Sequence, residues 1–204
     1  MKPFKLARYP VTWAQYRAFL DADDGYRNPQ WWQGRPRGDQ PGELRWAFAN
    51  HPAINVSWDD AMAYCAWLRA RLGMDDIRLP TEWEWQWAAA GLAKQEYPWP
   101  GDWNGARASS SEAGIGRTTA VGMYPQGGSP FAVDEMAGNV WESCLNAYED
   151  PASAPLEGGS SRVLRGGSWN FGPGCARAAH RGLGAPDYRD FNVGLRVCRG
   201  SPIE

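Results

Sequence analysis

The sequence predicts an α+β domain in which helices come first and a small twisted sheet comes last. Helix starts with capping chemistry fall in the first half of the chain, turn signals follow, and strand-like runs return late. A chain of 204 residues with 43% hydrophobic residues can bury one sizeable core. We therefore expect a single α+β domain over residues 1–204.

Each predicted helix begins after a hydroxyl residue whose oxygen can accept a hydrogen bond from an orphan backbone N–H. Gln15 and Glu84 lie three residues after Thr12 and Thr81, which completes two capping boxes. Ser57 precedes a helix with small and apolar residues at helical spacing, in which Cys65 is expected to be a small buried hydrophobe. The predicted helices cover residues 13 to about 21, 58 to about 72, and 82 to about 90.

Helical periodicity stops at Gly91, and proline and glycine turn signals dominate as far as Pro130. This stretch is expected to be irregular. Strand-like runs return at residues 140–141, 162–165 and 193–197. The 13 tryptophans, 24 glycines and 16 prolines favour a loop-rich chain held by large aromatic side chains.

The bulk properties exclude several classes of partner. The net charge of -2, with both signs mixed along the chain, leaves no footprint for nucleic acid. No apolar run approaches the roughly 18 residues of a membrane span, so we expect no membrane insertion. Met1 to Phe4 lack the apolar core of a secretion signal, and four scattered cysteines form no disulfide or zinc framework. These features favour a cytoplasmic location.

Five ordered motifs together resemble one known family. They lie at residues 9–16, 55–64, 78–85, 138–142, and 165–169 with 194–196. They are similar to the formylglycine-generating enzyme, or sulfatase-modifying factor, domain family, and the resemblance covers nearly the whole chain. It implies a variant of the C-type lectin fold. The family carries a further strand before the position of Phe4, so we expect that strand to be replaced or trimmed here.

The resemblance does not carry the catalytic residues across. In the catalytic branch, two cysteines five residues apart bind copper, which prefers soft thiolates. Aligned from Ser168, the first cysteine position is Phe171, and only Cys175 lies near the second. A nucleophilic Cys175 would need a base, for which only His180 is nearby. Related sulfoxide synthases use three histidines on non-haem iron, and this chain has two, the other being His51, expected to be a structural turn residue. We therefore expect a protein that is not an enzyme and requires no cofactor.

A calcium site is the inorganic feature of the family that best survives. Residues 135–142 resemble the family's calcium-binding stretch, and this resemblance implies Glu135 and Glu142 as carboxylate ligands with the carbonyls of Gly138 and Val140 between them. Hard oxygen ligands on an irregular loop suit Ca²⁺. The alternative is that Glu142 caps backbone amides around Trp141 without a metal.

The C-terminal segment, residues 165–199, contains one set of residues that looks like a structural scaffold and a second, interleaved set with no common chemistry. Its pattern resembles the variable region of proteins diversified by retroelements, whose randomised template adenines let fixed positions take many identities. Exposed loop positions on a rigid scaffold tolerate such changes. The expected ligand-binding residues are Phe171, Gly172, Gly174, Cys175, His180, Gly182, Leu183, Gly184, Ala185, Tyr188, Asp190 and Phe191, and the expected scaffold is Trp169, Asn170, Arg177, Arg181, Arg189 and Asn192.

The function predicted from this pattern is non-enzymatic recognition of an unidentified protein or other macromolecular ligand. Three alternatives stay open at this point. The loop could have drifted in a degenerate family member, the domain could be a copper-dependent formylglycine-generating oxidase, or it could be an adaptor domain of a larger signalling protein.

Overall fold

The computed structural model describes residues 2–38, 40–43, 45–46, 48–152, 154 and 159–200. In this part of the chain the helices are α1 (Trp13–Asp21), α2 (Trp58–Leu72) and α3 (Glu82–Ala90). The strands are β1 (Phe4–Leu6), β2 (Ile77–Arg78), β3 (Trp141–Ala147), β4 (Arg162–Arg165), β5 (Gly182–Gly184), β6 (Val193–Gly194) and β7 (Cys198–Gly200). The expected α+β class and the three helices are confirmed.

All three helices start with a reciprocal capping box. The sequence assigned the full box to two of them, but Asp60 also reaches back, and its Oδ2 accepts from the Ser57 N–H at 2.9 Å. Each cap of this kind stabilises the fold by about 1 kcal/mol. Gly73 ends α2 with a φ of 61°, a left-handed conformation that glycine adopts without a Cβ penalty.

The largest part of the core is an aromatic cluster between α1 and α2. Phe19 is fully buried at its centre, and its ring centroid lies 5.4 Å from that of Trp67 and 5.8 Å from that of Tyr64. Cys65 is also fully buried, as expected, and burial raises the pKa of its thiol to about 12. Removing a core ring of this size costs about 3 to 5 kcal/mol, so these helices rest on aromatic packing more than on propensity.

Two small sheets complete the fold. The first has the order β1–β7–β2 and is antiparallel, and the second has the order β5–β4–β3–β6, in which only the β3–β6 pair is parallel. Helix α3 packs against β3 and β4 through the fully buried Trp85. The second sheet therefore carries the C-terminal segment on a helix-backed support.

The strands differ from the sequence prediction in two informative ways. Strand β3 extends to Ala147, and all of its residues are buried, so the alternation that marks a half-exposed strand is absent. The run predicted at 193–197 divides into β6 and β7, which belong to different sheets. The fully buried Arg196 lies between them, and no periodicity reveals such a change of sheet.

The stretch after Gly91 is irregular, as predicted, and its regular pieces are three short 3₁₀ turns, the last at Pro125–Gly127. Within the described ranges, no helix is both long and apolar enough to cross a membrane.

Candidate functional site

One buried carboxylate holds both ends of the first half of the C-terminal segment. Glu82, the first residue of α3, is fully buried and accepts from Arg165 at 2.8 Å and from Arg181 at 2.8 and 3.2 Å. Arg165 also donates to the carbonyls of Ala178 and His180. Charge-assisted, multidentate contacts of this kind fix geometry as well as adding energy. The loop between the two arginines therefore starts and ends at one fixed point.

Two further arginines anchor the second half of the segment. Arg189 binds both oxygens of the fully buried Asp60, at 2.6 and 2.7 Å. Arg196 binds both oxygens of Glu142, at 2.9 and 2.7 Å, and donates to the carbonyls of Ala7 and Arg8. We call this set the frame; it consists of Arg165, Arg181, Arg189 and Arg196 with Glu82, Asp60 and Glu142.

The expected scaffold residues do not all behave alike. Arg181 and Arg189 belong to the frame, and Asn170 accepts from Ser168 and from the buried Asn192 at 2.7 and 3.0 Å. Arg177 instead pairs with Glu96 at 2.6 Å, and both side chains are more than half exposed. Arg177 therefore lies at the surface and outside the frame.

The expected ligand-binding residues divide by exposure. Phe171, Leu183 and Tyr188 are large apolar side chains with exposures of 39, 53 and 42%. Gly172, Cys175, His180, Gly182, Asp190 and Phe191 are half-buried, and Gly184 is buried. The exposed residues, which we call the recognition face, are Phe171, Gly174, Leu183, Ala185 and Tyr188.

Trp141 lies beneath part of the recognition face. Its buried indole lies 5.7 Å from the ring of Phe171 and 5.8 Å from that of His180, centroid to centroid. Burial lowers the pKa of His180 below its usual range, and the positive charges of Arg165 and Arg177 lower it further. His180 is therefore neutral at physiological pH and contributes an uncharged ring.

The glycines of the expected set meet different surroundings. A Cβ on Gly182 would lie 3.1 Å from the Trp141 ring, and one on Gly184 would lie 3.0 Å from the Tyr188 ring. A Cβ on Gly172 or Gly174 would meet no atom within 4 Å. Only the latter two positions offer open space for a side chain.

A second aromatic group lies beside the segment, and part of it was not predicted from the sequence. Trp169 contacts Trp46 and Phe191 with centroid distances of 5.4 and 5.7 Å, and the Arg45 guanidinium lies 5.2 Å from the Trp46 ring and 5.5 Å from the Phe191 ring. The Trp169 Nε1 is buried and has no hydrogen-bond partner among the described residues. Arg45 and Trp46 follow no motif or periodicity, so the sequence offered no signal for them.

The carboxylates of the expected calcium site have other partners in this structure. Glu142 is occupied by Arg196 and by the Trp85 Nε1 at 2.6 Å. The two oxygens of Glu135 accept from the Gly122 N–H and the Asn139 Nδ2 at 2.7 and 2.9 Å. Burial raises the pKa of Glu135 to about 7, against hydrogen bonds that favour its charge. The site at Glu135, Gly138, Val140 and Glu142 stays a prediction, and the alternative role of Glu142 as an amide cap is replaced by the pair with Arg196.

The described residues do not fit the copper and iron sites that the family's catalytic branches use. Among them no three His, Cys, Asp or Glu side chains converge as a metal site would require. Cys175 packs half-buried against Trp141, Leu164 and Val193, and the other three cysteines are buried and unpaired. His51 shares a hydrogen bond with Thr118 at 2.9 Å, and its ring lies tilted against that of Phe48 with centroids 4.8 Å apart, which is the environment of a structural turn residue. Neither a copper dithiolate nor a three-histidine iron site can be assembled from these groups.

Comparisons with known proteins extend this picture. A model of the sulfatase-modifying factor enzyme 1-like domain matches residues 1–201. The chain is 32% identical to hercynine oxygenase of Mycolicibacterium smegmatis, over 95% of this chain and 52% of that protein. It is 31% identical to inactive C-alpha-formylglycine-generating enzyme 2 of Mus musculus, over 100% of this chain and 78% of that protein. The chain spans about half the length of the hercynine oxygenases that it matches.

A solved structure shares the fold. Treponema denticola variable protein 1 matches with a TM-score of 0.72 and 22% identity, over 97% of this chain and 84% of that chain. At this identity the likeness shows the fold alone. The expected C-type lectin fold is confirmed.

Two expectations are wrong. The expectation of a protein that is not an enzyme is overturned by the 32% identity to hercynine oxygenase across 95% of the chain, because that relative is an enzyme. The expectation that no cofactor is required fails for the same reason, since oxygenases depend on a metal or an organic cofactor to react with dioxygen. The missing cysteine at Phe171 is an argument against the copper site of the formylglycine-generating enzymes only. It does not exclude the oxygenase chemistry of another branch of the family.

Proposed function

The chain belongs to the sulfatase-modifying factor enzyme 1-like domain family, and from that premise we propose that residues 165–199 form a ligand-recognition surface whose exposed positions can change identity. The ligand class that we propose is a protein or another macromolecule. The support is that different residues of this segment hold the fold and face solvent.

The observation that carries the proposal is the separation of the frame from the recognition face. The segment is held by four arginines on carboxylates that α2, α3 and β3 supply. No residue of the recognition face takes part in those contacts. Because exposed side chains on a rigid support carry little of the stability, they can be exchanged without unfolding the domain.

The chemistry of the surface suits a protein ligand. Phe171 and Tyr188 are aromatic, stiff and partly exposed, and Leu183 adds an apolar contact between small residues. Aromatic anchors among small residues are typical of adaptable binding surfaces, since a ring gives a large contact area for few rotatable bonds. A few residues near the centre of a contact, commonly Trp, Tyr or Arg, carry most of its binding energy, and Tyr188 is a residue of this type.

A display library tests this proposal. Randomising the five residues of the recognition face should yield variants that bind lysozyme, ovalbumin or serum albumin and that keep the parent Tm. A matched library at five exposed residues of α1 and α2 serves as the control; these are Ala14, Arg17, Ala18, Ala70 and Arg71. Equal numbers of binders from the two libraries would contradict a specialised surface. A template repeat that differs from this segment only at adenines, found near the coding DNA, would support diversification directly.

A second candidate function is suggested by a specific relative. Hercynine, which the relative at 32% identity is named for, carries a trimethylammonium group. Quaternary ammonium groups bind to the faces of aromatic rings. The rings of Trp46 and Phe191 already hold a guanidinium, that of Arg45, which indicates a face that attracts cations. We propose this aromatic group as the place where such a substrate would bind. An oxygen-activating metal there would need ligands from outside the described residues.

Calorimetry with hercynine separates the two candidates, with histidine as the matched control because it lacks the three methyl groups. Binding at the aromatic group predicts that histidine binds about tenfold more weakly or worse, and that Trp169→Ala removes hercynine binding. Equal affinity for both compounds, or no binding of either, would exclude the second candidate and leave the first untouched.

A further inference from the structure

A cavity of about 640 Å³ lies between α3 and residues 177–179. None of the five residues of the recognition face lines it. Its volume falls in the range of sites for small ligands. The cavity borders residues 177–179 of the proposed ligand-recognition segment, but it is separate from the recognition face and does not rest on the function proposed for that face.

Two tryptophans form its apolar side. Trp83 and Trp87 are 50 and 41% exposed, and their spacing of four residues places them on one side of α3. Phe131, 48% exposed, lies stacked beside Trp87 with ring centroids 6.2 Å apart and an interplanar angle of 24°. Trp87 and Phe131 therefore form a nearly parallel aromatic pair, and Trp83 adds a further exposed ring on the same side of α3.

The remaining lining is polar. Glu96 and Arg177 pair at 2.6 Å but are each more than half exposed, so their other oxygens and N–H groups reach solvent. Lys94 adds a cation, and Gln95 adds an amide whose Oε1 is buried without a partner among the described residues. The Gln95 amide could therefore rotate toward the cavity without losing a hydrogen bond that its Oε1 makes to the described residues. A purely apolar ligand would leave these groups without water or partners, which is costly.

We propose that this cavity binds a neutral oligosaccharide. One face of a pyranose ring is lined by C–H groups with partial positive charge, which matches the negative face of an indole. Its hydroxyl groups both donate and accept, as the mixed set of Gln95, Lys94, Glu96 and Arg177 requires. The proposed stacking partners are Trp83 and Trp87.

An array of neutral glucans, mannans, galactans and chitin oligosaccharides tests the proposal. The chain should retain at least one of them, and retention should fall about tenfold or more in Trp83→Ala and in Trp87→Ala. Phe48→Ala is the matched control, because Phe48 is 46% exposed and does not line the cavity; it should bind as the parent does. Trp83→Tyr should keep part of the binding, since tyrosine also offers a ring face, and this variant guards against a folding defect.

Two results would overturn the proposal. One is an array on which no glycan is retained, or on which both alanine variants bind as the parent does. The other is a sedimentation experiment in which the parent self-associates and Trp83→Ala or Trp87→Ala is monomeric, because the aromatic surface would then be a protein interface.

Discussion

Two ion pairs of the same segment illustrate how differently its residues are used. Arg196 and Glu142 are both fully buried and pair at 2.7 Å. Glu142 also accepts a hydrogen bond from the Trp85 Nε1, and Arg196 also donates to the carbonyl of Ala7. Arg177 and Glu96 pair at 2.6 Å but stand in water, with exposures of 55 and 53%. The distances are alike, and burial alone separates a pair that fixes the fold from one that solvent screens. Contact distance is therefore a poor guide to which arginines form the frame.

The largest effect is expected from Glu142→Gln. It leaves the charge of Arg196 buried without a counter-charge, which costs about 3 to 5 kcal/mol. Denaturant unfolding should show this loss. Glu96→Gln is the control, and it should leave the midpoint unchanged, because its partner Arg177 is solvated. Equal losses in the two variants would show that burial does not distinguish the pairs.

The next effect concerns the pH dependence of stability. Burial raises the pKa of Glu135 from 4.5 to about 7, so the folded state favours the protonated carboxyl. The stabilisation that the protonated Glu135 carboxyl gives the folded state is fully present below pH 4.5 and is lost as the pH rises through 7. Relative to Glu135→Gln, the parent should lose roughly 2 to 3 kcal/mol between pH 5 and pH 8. A difference between the two proteins that does not change with pH would contradict the raised pKa.

The same pair of proteins tests calcium. If Glu135 is a ligand, added CaCl₂ at pH 8 should raise the Tm of the parent, since bound metal would stabilise the ionised carboxylate. The increase should disappear in Glu135→Gln. A parent Tm that does not respond to calcium would remove the predicted site.

A smaller effect distinguishes positions within the expected ligand-binding set. Gly182→Val forces a side chain against Trp141 and should cost about 1 to 3 kcal/mol. Gly174→Val is the control, because its Cβ would meet open space. Both changes remove a glycine from the unfolded chain, so the difference between their melting curves reports the crowding. Similar stabilities of the two variants would show that the sheet shifts to accommodate the larger side chain at position 182.

The smallest effect is expected on the recognition face itself. Leu183→Ser should change the unfolding free energy by no more than about 0.5 kcal/mol, because the side chain is 53% exposed. Thermal melts of this variant and the parent should coincide. A loss of stability as large as that of Gly182→Val would show that Leu183 supports the fold and does not belong to the recognition face.

Much of the fold could be predicted because its signals are local. The caps at Thr12, Ser57 and Thr81 marked the first residue of each of the three helices, since capping depends on neighbours within one turn. Strand β5 could not be predicted in the same way. Its sequence is Gly-Leu-Gly, which has low strand propensity, and it is extended because the edge of β4 supplies its partners.

The site was harder because its contacts are distant in sequence. The place of Glu82 in the first turn of a helix is ordinary for an acidic residue and gives no signal of its role, yet Glu82 binds Arg165 and Arg181. Asp60 completes a capping box and also binds Arg189, and only the first role has a local signal. The sequence predicted exposed positions at Phe171, Leu183 and Tyr188, and these side chains are exposed. The crowding at Gly182 depends on Trp141, which precedes it by about forty residues.

The separation of frame and recognition face is tested most directly by a saturation mutagenesis scan of residues 165–199, sorted for folding after a heat challenge. The expected result is that Phe171, Gly174, Leu183, Ala185 and Tyr188 accept most amino acids, whereas Arg165, Arg181, Arg189, Arg196 and Gly182 accept few. A scan in which the five exposed positions reject substitution as strongly as the four arginines would contradict a recognition surface that varies on a fixed frame.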